Sequence, residues 1–285
     1  MDKYRRLRER VQSDDRFELH LPDAATDDAL ALAHDPNYVR RVVLGMLTGA
    51  ELRALGFPWS SALVERSRRS TGATVAACRA ALSDGAAVNL AGGTHHAMYD
   101  RAQGYCLFND SVVAARLMQR EARLRRVLVI DTDVHQGDGT AAITHGDDTI
   151  YTFSIHGERN YPARKATSDL DIALADGAGD DAYIDALAQG LDQAFRDARA
   201  DLVIYLAGAD AFAGDRLGRL AVSKAGLATR DMQVVERCQR FGLPMAVTMG
   251  GGYANNIDDI VDIHYQSLSN AVTLCVPGPT RRAVS

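Results

Sequence analysis

Short apolar runs alternate with longer amphipathic stretches along this chain. The runs of strand length are Ala86 to Leu90, Val127 to Ile130, Thr149 to Ile155, Leu202 to Leu206 and Pro244 to Met249. Val127 to Ile130 is rich in β-branched residues with no polar partner position, the pattern of a strand covered on both faces. Between the runs, Leu63 to Leu82, Asp110 to Leu124, Asp180 to Ala198, Thr229 to Phe241 and Asn255 to Asn270 have helical length and amphipathic spacing. Gly85 and Gly242 follow two of these and suit left-handed stops, while Asn109 and Asp110 offer oxygens to the first turn of a third. This alternation predicts an α/β fold around a mostly parallel sheet. No repeat, low-complexity tract or Pro/Gly/Ser-rich linker interrupts it, so residues 1–285 are expected to form one domain.

The strand ends carry the chemistry. Leu90 is followed by Ala91-Gly92-Gly93-Thr94-His95-His96, and Ile130 by Asp131-Thr132-Asp133-Val134-His135-Gln136-Gly137-Asp138-Gly139. Leu206 is followed by Ala207-Gly208-Ala209-Asp210, and Met249 by Gly250-Gly251-Gly252-Tyr253. Ligands of open parallel sheets bind at the carboxyl ends of strands. Alternate residues of an extended chain share a face at steps of about 7 Å, so Asp131, Asp133 and His135 project together. A hydrolytic zinc site takes three protein ligands and leaves a position open. Asp133 and His135 supply two, and Asp210, behind the small Gly208 and Ala209, is the best third. Adjacent His95 and His96 suit acid/base work near neutrality. Asp131 and Asp138 are then available to hold their ring N–H groups. Three glycines would let the Tyr253 hydroxyl swing over a metal and donate to an oxyanion. Bland readings stand beside each: a polar loop with Asp133 as a helix cap and His135 solvated, Asp210 in a turn, Tyr253 packed in a loop.

Composition narrows the class. The chain is 47% hydrophobic and 24% charged, as ordinary globular proteins are. A formal charge of −5 argues against a nucleic-acid partner and is compatible with a cationic substrate. Cys78, Cys106, Cys238 and Cys275 are scattered without CxxC spacing, which fits a reduced, cytoplasmic protein. Met1 to Val11 is charged throughout and lacks the apolar centre of a signal peptide. No apolar run approaches a membrane span. Oligomeric state is not legible.

Taken together, Gly92 to Ala97 (GGTHHA), Gly104 to Asp110 (GYCLFND), Asp131 to Gly139, Phe153 to His156 (FSIH), Ala207 to Gly218 (AGADAFAGDRLG) and Gly250 to Tyr253 resemble the histone deacetylase family of the arginase/deacetylase fold. Gln136 and the stretch Gly214 to Gly218 look most like the class IV branch and its bacterial relatives. The resemblance implies a three-layer α/β/α architecture and a zinc-dependent amidohydrolase. Its substrate would be an acyl-lysine protein or peptide, or an acylated amine metabolite such as an acetylpolyamine. It implies Asp133, His135 and Asp210 as zinc ligands, His96 as general base and acid, and His95 as its electrostatic partner. Tyr253 would polarise the amide carbonyl, with Asp131 and Asp138 behind the two histidines. It also implies a structural potassium or sodium ion held by Asp131, Asp133, His135, Ser154 and Ile155. Gly104, Tyr105, Leu217, Gly251 and Gly252 would line a substrate tunnel. The family's strand and loop ahead of the segment that Met1 to Arg5 resembles do not appear in this sequence: either the start has been placed late, or an edge strand is missing, which would leave a sheet edge open.

Other classes compete. Gly137-Asp138-Gly139-Thr140-Ala141-Ala142 fits the G-x-G-x-x-A turn of a dinucleotide-binding module. A catalytically silent acyl-lysine-binding protein of the same fold is another reading. A binuclear manganese hydrolase would need further ligands where the chain has Thr132 and Gly208.

Overall fold

The five apolar runs lie side by side as strands in a computed structural model that describes residues 2–122 and 124–274. They are β1 (Ala86–Val88), β2 (Val127–Asp131) and β3 (Ile150–Gly157), then, after an unanticipated β4 (Leu170–Leu174), β5 (Leu202–Leu206) and β6 (Met245–Thr248). The strand order is β1-β6-β5-β2-β3-β4, and every pairing is parallel. The helices are α1 (Asp2–Gln12), α2 (Asp27–Leu30), α3 (Pro36–Val43), α4 (Gly49–Leu55), α5 (Ser61–Asp84) and α6 (Asp110–Ala122). They continue with α7 (Asp138–Thr144), α8 (Asp180–Ala198), α9 (Lys224–Phe241) and α10 (Ile257–Ala271).

Side-chain alternation divides the sheet between two cores. Leu128, Ile130, Val203, Tyr205 and Val247 point toward α8, α9, α10 and α1. Val127, Val129, Ile150, Leu202 and Ile204 point the other way, onto α2 to α6. Both faces are covered, which is why these strands read as unbroken apolar runs. The result is the three-layer α/β/α architecture.

Differences from expectation have local causes. β4 has the alternating sequence Leu-Asp-Ile-Ala-Leu and sits at an edge, half buried on one side. Helix α9 begins five residues before Thr229, because Ser223 caps it by accepting from Gly226 N–H at 2.9 Å. α1 is charged on most faces but buries Leu7 and Val11 against the core and pairs Arg6 and Arg10 with Asp258 and Asp262 of α10. Gly85 and Gly242 do end α5 and α9 at positive φ, and Asn109 accepts from Val112 N–H at 3.1 Å. Cys275 lies outside the described residues.

Candidate active site

The ends of β1, β2, β5 and β6 open into one cavity of about 510 Å³. Asp133 and His135 leave β2, and Asp210 leaves β5. Their donor atoms all lie within 4.8 Å of one another. His135 Nδ1 is 2.9 Å from Asp133 Oδ1 and 3.2 Å from Asp210 Oδ2. Asp210 is fully buried, and its Oδ2 accepts no hydrogen bond. The His135 ring at 3.2 Å is its ion-pair contact, and a buried carboxylate oxygen with no hydrogen bond is costly unless a cation stands beside it.

Glycines let the loops close on these carboxylates. A Cβ at Gly208 would stand 2.6 Å from Asp133 Cα, and one at Gly251 would stand 2.6 Å from Asp210 Cγ. Gly251 N–H donates to Asp133 Oδ2 at 2.7 Å. An oxygen–nitrogen–oxygen donor set open on the cavity side fits a divalent cation such as zinc.

The electrostatics agree with that fit. Burial, reinforced by the Asp133 charge, raises Asp210 to about 6. Burial opposes charge on Asp133 too, but His95 and His135 outweigh it and hold its carboxyl well below the usual range. Burial likewise opposes charge on His135, yet the carboxylates of Asp133 and Asp210 carry it up to about 11. The trio thus gathers one positive charge at its centre, a place a bound metal would take while displacing the proton.

The tandem histidines stand beside it. His95 Nδ1 donates to Asp131 Oδ2 at 2.6 Å, and His96 Nδ1 donates to Asp138 Oδ1 at 2.7 Å. Both rings are buried and lie 4.1 Å apart between centroids. Burial and then the charge of His95 push His96 down to about 4, so it is neutral at pH 7. For His95 burial works the other way from its partners, and Asp131 and Asp133 prevail, raising it to about 9. A cation on Asp133 would weaken part of that support.

What fixes this pair is not visible in the local sequence. Asp110, read as a helix cap, is buried and accepts from Gly93 N–H at 3.1 Å, Thr94 N–H at 2.8 Å, and the hydroxyls of Thr94 and Thr74 at 2.7 and 2.6 Å. It clamps the loop that presents both histidines. Gln103 Nε2 donates to Asp138 Oδ2 at 2.6 Å, so both oxygens of that carboxylate are engaged. Tyr161 packs edge-on to His96, with centroids 4.8 Å apart.

Tyr253 is held from both sides of its backbone. Its N–H donates to Asp215 Oδ2 at 2.5 Å, and its carbonyl accepts from Arg216 Nε at 2.8 Å. Asp215 Oδ1 also accepts from Leu217 and Gly218 N–H at 2.8 and 3.0 Å. The quoted GDRLG motif therefore has a positioning task that its spacing did not disclose. Lys3 Nζ reaches the carbonyls of Gly250 and Gly252 at 3.4 and 3.3 Å and lies 5.2 Å from the Tyr253 ring centroid. Burial, then the charges of Asp133 and Asp210, push the Tyr253 hydroxyl well above the usual phenol range. It stays a donor.

Of the residues expected along a substrate tunnel, Gly104, Tyr105, Leu217 and Gly251 line the cavity. Gly104 sits at φ +54, and a Cβ there would stand 2.5 Å from His96 Cδ2. Gly252 is not among the lining residues; a Cβ there would point at Ile260 Cγ2, 2.8 Å away, on the core side. Asp131 and Ser154, two of the five residues expected around a monovalent ion, are register partners on β2 and β3. Ser154 Oγ is 2.9 Å from His156 Nδ1.

The dinucleotide reading has no room. Gly139 packs against the chain turn at His95 to Ala97, where a Cβ would stand 2.6 Å from His95 O. The Thr140 N–H already donates to that carbonyl at 3.0 Å.

Comparison with known proteins agrees with the geometry. Residues 2–268 match the model of the histone deacetylase domain. An uncharacterized protein of Picosynechococcus sp. is 43% identical over 254 residues, covering 89% of this chain and 84% of that protein. Histone deacetylase 2 of Arabidopsis thaliana is 31% identical over 206 residues, covering 71% of this chain and 53% of that protein. The crystal structure of acetylpolyamine aminohydrolase from Burkholderia pseudomallei superposes with a TM-score of 0.77 at 21% identity, covering 95% of this chain and 90% of that one. With the match spanning both cores and every strand end of the cavity, the chain belongs to the histone deacetylase family.

Proposed function

We propose that the chain is a zinc-dependent amidohydrolase that removes acetyl or longer acyl groups from lysine side chains or related N-acyl amines. One observation carries this reading. A single cavity joins a three-donor cation site, a neutral histidine whose Nδ1–H is pinned by a carboxylate, and a protonated tyrosine.

Held by Asp133, His135 and Asp210, zinc would supply Lewis acidity toward the carbonyl and lower the pKa of water. Asp138 keeps the His96 proton on Nδ1, so Nε2 is free to take a proton from the attacking water. The Tyr253 hydroxyl donates to the carbonyl oxygen as negative charge develops there. His95, oriented by Asp131, adds positive charge beside the same centre. His96 then returns its proton to the amine as the C–N bond breaks, leaving a carboxylate and a free amine. The same reading includes the potassium or sodium site at Asp131, Asp133, His135, Ser154 and Ile155. It also places the protein in a reducing, cytoplasmic setting, supported by free buried Cys78, Cys106 and Cys238.

The test is a purified-protein assay of acetyl-, short-chain and long-chain acyl-lysine peptides together with acetylpolyamines, with and without a zinc chelator. The account expects turnover of at least one class, lost on chelation and restored by zinc. Turnover indifferent to chelation would overturn the metal, and no turnover by the zinc-loaded protein would overturn the enzyme.

A further inference from the structure

The chain is acidic overall, with 37 Asp and Glu against 32 Lys and Arg, yet the mouth of its cavity is basic. Arg53, Arg159 and Arg219 line that cavity, and among the described residues its only lining carboxylates are Asp133 and Asp210 at the cation site. Anchored segments place all three residues in the lining of the one cavity. Arg53 belongs to α4, where the carbonyls of Ala54 and Leu55 accept from Gly104 and Tyr105 N–H at 3.1 and 2.9 Å. Arg159 and Arg219 stand on two loops tied by buried Asn160, whose side chain donates to Leu217 O at 2.8 Å and accepts from Arg219 N–H at 3.2 Å.

Neutralisation of this rim is incomplete. Arg219 and Arg159 share one carboxylate, Asp176, at 3.2 and 3.9 Å. Arg53 has no ion-pair partner among the described residues. The side chains of Arg159 and Arg219 are 74% and 56% exposed, so both face whatever enters.

Resting on the amidohydrolase reading, we infer that the amine portion of the substrate carries a carboxylate close to the acylated amine, and that this arginine rim receives it. The amide must reach His96 and Tyr253, so the rest of the amine portion lies toward the mouth. A carboxylate there meets three guanidiniums. A polyamine there would bring positive charge past all three, which disfavours acetylpolyamines. The net charge of the chain is compatible with a cationic substrate, but the arginines at the mouth give the local field the opposite sign, and it is the local field that a docking ligand meets. The carboxylate has two possible sources, the α-carboxylate of a free N-acyl-lysine or Asp and Glu side chains flanking an acyl-lysine in a protein.

The experiment compares KM and kcat of the zinc-loaded protein on acetyl-lysine peptides flanked by Asp/Glu, by Gly/Ser or by Lys/Arg. Free N-acetyl-lysine, its α-amide and acetylspermidine complete the set. The expected KM for the acidic peptide is about tenfold below that of the basic one, since each exposed charge pair contributes modestly. The gap closes at about 1 M salt, where the Debye length shrinks to roughly 3 Å. The Arg53→Gln/Arg159→Gln/Arg219→Gln variant treats the three peptides alike, and the salt series reads the same effect with no substitution. A preference for free N-acetyl-lysine over its amide assigns the metabolite source; a preference confined to the acidic peptide assigns the protein source. Equal treatment of all charges, or faster cleavage of the basic peptide or acetylspermidine, overturns the inference. Anisotropy titration of the same labelled peptides onto the Tyr253→Phe variant separates the two layers. Charge-ordered binding without wild-type turnover would overturn the amidohydrolase and leave the rim, whereas turnover without charge ordering would do the reverse.

Discussion

Replacing Gly251 by alanine isolates the cation site from the rest of the fold. The added Cβ would lie 1.8 Å from Asp210 Oδ2, 2.6 Å from Asp210 Cγ and 2.7 Å from Asp133 Oδ2. Ordinary contact distances begin near 3.4 Å, so the Asp210 carboxylate must retreat by about 1.6 Å. Metal–ligand distances tolerate only about ±0.2 Å, so the displaced carboxylates no longer match one ion. The backbone of Gly251 has no positive φ to lose, and its hydrogen bond to Asp133 is made through N–H, so the damage is centred on the ligands. Disturbing the groups that orient metal ligands typically costs 10–100-fold in affinity, and moving two ligands directly sets the expected loss at about 100-fold or more. The assay is zinc retention during titration with a chelator of known affinity, read by elemental analysis and accompanied by a thermal melt without metal. The metal-free melt records the packing cost, since Asp210 Oδ1 also accepts from Val134 N–H at 2.9 Å, and zinc retention should fall at temperatures where the variant is still folded. Wild-type chelator resistance in Gly251→Ala would refute the proposed ligand set.

Other outcomes follow from the same geometry. Asp215→Asn turns an amide toward the Tyr253 N–H, so kcat should drop about tenfold or more with KM little changed, because a small misplacement of a reacting group costs rate. Unaltered kcat would remove Asp215 from the positioning of Tyr253. Asp110→Ala strips a buried acceptor from four donors and should lower the unfolding free energy by about 3 kcal/mol or more in a denaturant titration; a loss under about 1 kcal/mol would contradict its clamping role. Acid should destabilise the fold through His34, whose Nδ1–H donates to Met98 O at 2.8 Å while Nε2 accepts Asn109 N–H at 2.8 Å. Burial pushes His34 to about 4, and His156 to about 4 likewise. The folded state therefore favours neutral rings while the unfolded chain takes up protons from about pH 6.5 downward, so stability is full above that pH and is lost as pH falls toward 4. Melts across pH 7.5 to 4 should show the decline beginning near pH 6.5, and a flat Tm through that window would contradict it.

The strands buried on both faces were legible because burial leaves a run of local letters. Val127 to Ile130 and Leu202 to Leu206 became β2 and β5 with little change in bounds. β4 was not legible, since an edge strand of alternating polarity resembles a loop with two apolar residues. The candidate ligands and histidines could be read because each sits on a strand end among glycines. Their supports could not. Asp110 meets Thr94 across 16 residues, Asp215 meets Tyr253 across 38, and Lys3 meets Gly250 across 247. Those pairings depend on how β1, β5 and β6 stand in the sheet, which no local pattern states. Gly252 shows the converse: three successive glycines look alike in sequence, but the backbone turns one of them toward Ile260.

If one cavity acts as a metal-dependent amidohydrolase, Tyr253→Phe exposes it most directly. The substitution removes only the hydroxyl, whose backbone is already fixed by Asp215 and Arg216. Zinc content and acyl-lysine turnover should be measured on the same preparation. The account predicts stoichiometric zinc with turnover lowered about 10²- to 10³-fold, as for loss of one oxyanion donor. Wild-type turnover in the variant would contradict it.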